Sequence, residues 1–551
     1  MYTYSTPGVY FERVDEEPQV IGPVRTDIAG FVGIAARGPL HQAVRLSSWQ
    51  QFVSTFGVHI PQGFLAYAVQ GFFENGGQIC WVVRVADPET ARHGCERLLD
   101  DDGRPTLRLR ASSPGSWSQQ LDVSVMRTAA DRFTLALRLP PDEEETWQNL
   151  TMQAGQPRYT PDILNDQQTG SRLVCAEDLK PGTPAPGNTP RGPEHGSLPG
   201  GSDGLAGLTT AHFVGDGGTP WGLAALEPVE DVAIVAVPDA MQVPAPPVIQ
   251  PPPPPRPDCS RVPDPVTIAS LAAGPAQDGQ PAEWPPPPAS AAIQAAVVSQ
   301  CERLRYRFGV LDTPDERARI EDVLAWRQQF TSAYAALYHP WLGMPDPLSP
   351  DGSLRFVPPS GHVAGSYALT DLQVGVHKPA ANELVAAAND VRFRLSDVAH
   401  GELNTGGVNV IRAYPGRGLR TAGARTLSED SQWQYVNVRR LVSMIEATLD
   451  RDTQWMVFEP NSRELWREMD RVVRSFLDQL WRRGMLDGAS AQDAYSVECD
   501  EATNPPQDTG DGRLTCLLGV LPPWPAEFVV ARIGQTLNEV EMVGQGAGSN
   551  G

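Results

Sequence analysis

The side chains able to make or break bonds are scattered along this sequence. His339, His362, His377 and His400 fall at irregular intervals with no Cys beside them, as structural or surface histidines do and metal ligands do not. The sequence contains no HExxH and no GxxxxGK[ST]. Pro415-Gly416-Arg417-Gly418 lacks the third Gly of a dinucleotide fingerprint, and Gly215-Asp216-Gly217-Gly218 reads as a turn rather than a phosphate loop. Seven cysteines include no CxxC pair, which predicts a reduced, cytoplasmic compartment. Cys499 and Cys516 flank a Pro/Asp/Gly-rich hairpin and are expected as two thiols. No catalytic residue, cofactor or metal site is predicted.

The pattern with most chemical content is a basic helix face. Ser462 or Asn461 caps a helix running to Arg483. Leu465, Trp466, Met469, Val472, Val473, Phe476, Leu477 and Leu480 line one side of it at helical spacing. On the other side Arg463, Arg467, Arg471 and Arg474 fall within an arc of about 80°, at 3.6 residues per turn. Glu464, Glu468 and Asp470 flank them, so a solvated face laced with ion pairs competes with a docking face.

Charge is distributed to match. The net charge is −22, which argues against generic binding to nucleic acid or to an anionic membrane surface. Yet residues 352–483 hold 17 basic and 15 acidic residues, so the rest of the chain carries all of the net negative charge. A locally basic surface in an acidic protein suits an acidic partner. Of the 44 basic residues only Lys180 and Lys378 are lysines. The first residues have no basic and apolar leader pattern, and no apolar run approaches membrane-spanning length; neither a signal peptide nor a membrane insertion is expected.

The elements that must position this face come from both ends of the chain. Residues 27–35 and 79–85 read as buried strands. Between them lie a helix from Ser47 to Phe56, stopped by Gly57, and a second over 62–75, as in an α/β layer with a partly parallel sheet. Residues 121–126 and 133–139 alternate at period two, as antiparallel strands do, with an acidic turn at 142–145. Residues 180–220 read as loop and 231–237 as a strand returning to the α/β core. Residues 238–288 hold 18 of the 53 prolines and read as a surface excursion. Helices are expected over 291–308, 316–338, 436–448 and 462–483, and strands with loops over 352–430.

Both termini read as arms. Val9, Tyr10 and Phe11 follow Pro7-Gly8 as a short extended segment. Phe528, Val529, Val530 and Ile533 form a strand with few neighbours of its own before the polar tail. An unpaired strand must be covered or must pair with another molecule. Exchange of such strands between copies is a heterologous contact that builds rings or filaments.

At this point the motifs become recognisable. The chain resembles the contractile tail sheath proteins of phages, R-type bacteriocins and extracellular contractile injection systems. The resemblance rests on TyrSerThrProGlyValTyrPheGluArgVal at 4–14, ThrAspIleAlaGlyPheValGly at 26–33 and GlyPhePheGluAsnGlyGly at 71–77. It continues in TyrHisProTrp at 338–341, ValProProSerGlyHisValAlaGly at 357–365, GlyAlaArgThrLeu at 423–427, TyrValAsnValArgArgLeu at 435–441, ValPheGluProAsn at 457–461 and ProAlaGluPheVal at 525–529. The middle departs: Ser118-Gln119 and Ala422 replace residues usual in that family, and the proline-rich stretch has no equivalent.

The resemblance implies an α/β (α+β) multi-domain fold: an N-terminal arm (1–20), a sheath core (21–90), an inserted β-rich outer domain (91–225), a continuation of the core (226–350), a C-terminal domain facing an inner tube (351–524) and a C-terminal arm (525–551). It implies a structural, non-enzymatic protein that forms stacked hexameric rings in a helical sheath around a tube protein. Baseplate and terminator proteins cap that sheath, and it contracts on conformational energy stored at assembly. Arg463, Arg467, Arg471 and Arg474 become candidates for contact with the tube. The particle would assemble in a bacterial cytoplasm and act as a phage tail-like or injection particle. A minor, baseplate-proximal paralogue and a hydrolase on an α/β core are the alternatives.

Overall fold

The computed structural model describes residues 21–141, 143–192, 194–242 and 289–527, and the backbone of Arg532–Ile533 and Met542–Val543. It divides into two compact bodies: the larger spans Thr26–Leu372 and Ala380–Val436, the smaller Gln373–Pro379 and the chain from Asn437 onward, with residues 21–25.

The larger body is organised by an eight-stranded sheet. In chain order its strands are β1 (Ala29–Gly33), β2 (Ala43–Leu46), β3 (Cys80–Arg84), β4 (Ile234–Ala236), β5 (Phe308–Asp312), β6 (Ala335–His339), β7 (Val408–Tyr414) and β8 (Gly418–Ala422). They lie in the order β8-β7-β6-β5-β4-β1-β3-β2. The six inner strands run parallel, while β2 and β8 close the edges antiparallel. Strands buried on both faces must be apolar throughout, and successive residues go to opposite layers. Ala336 and Tyr338 join one core cluster, Ala335 and Leu337 the other.

That burial explains one correction. The expected helix over 316–338 is a short helix at Ile320–Arg327 followed by β6. A continuous apolar run in a parallel sheet carries no period-two signal to separate it from a buried helix. For the same reason the expected helix over 291–308 stops at Leu304, and Phe308 opens β5. Capping of the first helix falls one residue later than expected: the Ser48 hydroxyl accepts the Gln51 amide, and Gly57, at φ 83°, ends the helix.

Two helices settle on the sheet, α1 (Leu65–Glu74) and α2 (Ser360–Gln373). The second lies where only strands and loops were expected, because its glycines and its all-round burial hide a helical pattern. Those glycines set the packing distance. A Cβ on Gly361 would stand 2.4 Å from the backbone of Ala68, and one on Gly365 would stand 2.5 Å from the Phe72 carbonyl oxygen. His362, between them, is fully buried, and burial lowers it to about 4.

The N-termini of both helices are held by buried carboxylates placed at or just beyond strand ends. Asp239 accepts the amides of Ile34 (2.6 Å), Phe64 and Leu65 (3.2 Å). Asp312, the last residue of β5, accepts the Ser360 amide at 2.9 Å and its hydroxyl at 2.6 Å. Amides at a helix N-terminus favour the charged carboxylate, but burial outweighs them and pushes both groups up to about 7.

Residues 95–178 form a second core within the larger body. Cys95–Leu99, Pro105–Ala111 and Val174–Asp178 make one antiparallel sheet; Asp122–Ala129, Arg132–Leu139 and Glu143–Leu150, with Glu194–Gly196, make another. Leu107, Leu109, Val123, Val125, Phe133, Leu135 and Leu137 fill the cluster they share. Within the acidic turn expected at 142–145, residues 143–145 instead open a strand: Glu143 and Glu145 register opposite Leu139 and Leu137. Gly215–Gly218 is a turn, with the Asp216 carboxylate accepting the amides of Gly218 and Thr219.

In the smaller body α3 (Val436–Asp452) packs against α4 (Arg463–Arg482). Leu441, Met444, Ile445 and Leu449 meet Val472, Val473, Phe476, Leu477 and Leu480. A two-stranded antiparallel sheet, β9 (Tyr495–Glu498) and β10 (Leu517–Val520), completes it.

Two outcomes follow for the larger body. Gly361→Ala lowers the thermal midpoint: the clash with Ala68 costs about 1–3 kcal/mol and overrides the roughly 1 kcal/mol that Ala gains over Gly in a helix; an unchanged or raised midpoint contradicts the packing argument. The folded chain holds the Asp312 proton more tightly than the unfolded chain does. That contribution is therefore complete below the ordinary carboxylate value of 3.8 and is lost as pH rises to about 7. Urea unfolding of Asp312→Asn should show a shallower fall in stability across this window, by at most about 4 kcal/mol; equal pH slopes contradict it.

Candidate assembly surface

The smaller body gathers the features that the sequence marked. Its spine is α3, and both terminal segments leave from it. Near its last turn the Val24 amide donates to the Thr448 hydroxyl (3.1 Å), the Gly22 amide to Asp452 (3.3 Å), and Arg451 to the Gly22 carbonyl (2.6 Å). Ile21 is buried in the same cluster. At its first turn the Asn437 amide group donates to the carbonyls of Pro523 (3.0 Å) and His377 (2.8 Å). The roots of the two arms are thus tied some 20 Å apart along one helix, at 1.5 Å per residue. Val9, Tyr10 and Phe11, and Phe528, Val529 and Val530, lie outside the described residues. Ile533 belongs to a two-residue strand that pairs antiparallel with Met542–Val543.

Helix α4 carries the basic face. The Ser462 hydroxyl accepts the Leu465 amide as its cap, and Asn461 accepts the Trp466 indole N–H at 2.7 Å. Six of the eight apolar positions expected to face inward are buried, with Leu465 and Met469 half-buried. Arg463, Arg467, Arg471 and Arg474 are all exposed. Arg463 pairs with Glu501 at 2.7 Å, Arg471 with Glu468, and Arg474 with Asp470 at 2.8 Å. Arg474 also donates to the Val497 carbonyl, which ties α4 to β9. Arg467 makes no ion pair among the described residues. Exposed pairs of this kind contribute about 0–1 kcal/mol each, so they can be exchanged for other acids at little cost.

Beside this face lies an apolar one that sequence reasoning missed. Leu517, Leu518, Leu521 and Trp524 are exposed, Trp524 by 56%. Neither β9 nor β10 pairs with a third strand among the described residues. Val457 and Phe458 are also exposed, and Phe458 has a left-handed backbone (φ 72°) that a bulky residue rarely adopts. The available signal was the unbroken apolar stretch from Leu517 to Trp524, too apolar for a surface hairpin.

The histidines do not converge. His339 is buried, with its Nδ1 2.8 Å from the Thr313 hydroxyl, whereas the His400 Nε2 contacts the Ala422 carbonyl at 2.9 Å. Among the described residues no group of His, Cys, Asp and Glu is placed to hold a metal ion, and no helix is long and apolar enough to cross a membrane.

Residues 286–427 match the phage tail sheath protein central domain and residues 428–536 the phage tail sheath C-terminal domain. A prophage major tail sheath protein of Pseudomonas aeruginosa (strain UCBPP-PA14) is 24% identical over 259 residues; the match takes in 46% of this chain and 64% of that relative, slightly less than two-thirds of its length. The fold is that of the sheath of the extracellular contractile injection system PVC in its contracted state, with a TM-score of 0.56, 19% identity, and coverage of 98% of this chain and 99% of that one. The contracted helical sheath of the anti-feeding prophage superposes with a TM-score of 0.54 at 21% identity, covering 97% of this chain and 100% of the other. Residues 286–536 thus carry the two phage tail sheath domains in tandem, and the chain has the fold of sheath subunits over nearly its whole length.

Proposed function

We propose that this chain is the repeating subunit of a contractile sheath. It polymerises as stacked sixfold rings around an inner tube and contracts to drive that tube through a target envelope. It works by conformational energy stored at assembly and not by catalysis. The observation that carries this reading is the smaller body itself. Both arms are rooted on one helix, beside a two-stranded sheet whose edges are open among the described residues and whose exposed side chains are apolar. A subunit built this way can give two strands and receive two. The contact is heterologous, because donor and acceptor surfaces differ, and so it propagates instead of closing as a dimer. The four exposed leucine and tryptophan side chains at β10 and beyond it supply the burial that a docked arm would gain.

The tube side falls to α4. Arg463, Arg467, Arg471 and Arg474 suit an acidic partner surface, with Arg467 the most available of them. Their exposed pairs make a face that can hold a tube during assembly and let it slide on contraction. Baseplate and terminator proteins would bound the sheath at its two ends.

Two measurements test this. Chains lacking residues 1–15 or 525–543 should remain folded monomers by circular dichroism and sedimentation while the full chain forms tubes in electron micrographs; normal sheaths from either deletion would refute the linkage by arms. Reversing charge at Arg467 and Arg471 together should leave thermal stability within about 0.5 kcal/mol, as for surface substitutions generally, yet reduce co-assembly with the tube protein; unchanged co-assembly removes α4 from the tube contact.

A further inference from the structure

The β9–β10 hairpin contains a second feature, independent of its role in assembly. Its register pairs Tyr495 with Val520 and Glu498 with Leu517, so one step further toward the turn Cys499 stands opposite Cys516. The Leu521 amide donates to the Ala494 carbonyl on the same register, which sets Ala494 and Leu521 at a hydrogen-bonded position of the ladder. Pairs alternate along an antiparallel ladder, and five steps on Cys499 and Cys516 fall at a non-hydrogen-bonded position, where opposed side chains approach most closely. Both point to the same side of the hairpin as Val497: Cys499 is buried and Cys516 packs against the cluster that contains Val497. Opposed Cα atoms at such a position lie within the range a disulfide spans.

The turn between them is already closed. The Asn504 carboxamide donates to the carbonyls of Asp500 (3.1 Å) and Thr515 (2.9 Å), and accepts the Thr515 amide at 2.7 Å. A bond between the sulfurs therefore needs little backbone movement. Both sulfurs are thiols in the structure.

We propose that Cys499 and Cys516 are a site of reversible covalent modification, a cross-strand dithiol that closes to a disulfide when the protein meets a low-molecular-weight disulfide in an oxidising medium. The thiolate of one cysteine attacks a sulfur of oxidised glutathione, forming a mixed disulfide and expelling one glutathione thiolate. The second cysteine's thiolate then attacks the protein-bound sulfur, forming the Cys499–Cys516 bond and expelling the second. The protein loses two protons and two electrons, and one oxidised glutathione becomes two reduced ones. Closure staples the end of the hairpin across the 16 residues 500–515. Burial raises both thiols above their ordinary range, Cys516 to about 12. The pair therefore closes slowly near neutral pH and faster as pH rises, since the thiolate is the attacking species.

The test uses the full chain, reduced and then held in oxidised glutathione, blocked with iodoacetamide and digested without reductant. The expected product is a Cys499–Cys516 cross-linked peptide, lighter by two hydrogen atoms than its parts and abolished in Cys516→Ser. Backbone amides of residues 495–520 should exchange at least about tenfold more slowly in the oxidised chain, and dithiothreitol should reverse both effects. Recovery of both cysteines as separately alkylated thiols overturns the proposal, as does linkage of either one to another cysteine. Neither result depends on whether the chain forms sheaths.

Discussion

The larger body depends on a pairing that local sequence cannot favour: β1 lies against β4 although some 200 residues separate them. Bringing such distant strands together costs loop-closure entropy before any contact repays it. Buried carboxylates help to close the join. Asp239, just past β4, reaches the amides of Ile34 after β1 and of Phe64 and Leu65 at the head of α1. Asp312 does the same between β5 and α2. Each fixes a helix to the end of a strand from another part of the chain, and each satisfies amides that would otherwise be buried without partners. Once this join is made, what is inserted between β3 and β4 needs only to leave and re-enter at the two strands that flank β1. The insertion has built its own core, filled by Leu107, Val123, Phe133 and their neighbours, and takes nothing from the sheet.

The smaller body obeys the opposite constraint. Its core is made almost entirely of chain-local contacts between α3, α4 and the β9–β10 hairpin, apart from Ile21 and Val376. A body of this kind holds together without the arms. On the proposed reading the arms leave from both ends of α3 and are available to other molecules. The exposed apolar residues at β10 are unfavourable for an isolated monomer, and on the proposed reading each docked strand removes that surface from water.

Legibility followed the kind of signal each element carries. Strands β1 and β3, the antiparallel strands at 122–139, and helix α4 with its cap and apolar stripe were readable, because alternation, periodicity and capping are local. Strand β6 was not: Ala335 to His339 is buried on both faces, and its apolar run continues the pattern of the preceding helix. Helix α2 was hidden for a related reason, since Gly361 and Gly365 serve close approach to α1 and lower helical propensity. Glu143 and Glu145 looked like a turn by composition, although partner strands fix them in a sheet. The arginine face was visible residue by residue. Its ion pairs were only partly visible, because Glu501 reaches Arg463 from a loop remote in sequence.

The strength of those ion pairs bears on how a sheath could release its tube. A buried charge pair, once broken, leaves an uncompensated charge and costs several kcal/mol; a face made of such pairs would hold its partner in one position. The α4 arginines are exposed, and their pairs are worth about 0–1 kcal/mol each. Any acid on a partner would merely replace an acid of the same chain, at nearly equal energy. On the proposed reading, attachment to the tube comes from the number of repeated weak contacts and not from the strength of any one. Linkage between subunits rests on strand pairing and apolar burial, which are not exchanged so easily. A sheath divided this way can lose its grip on the tube while its subunits stay joined, as contraction around a moving tube requires.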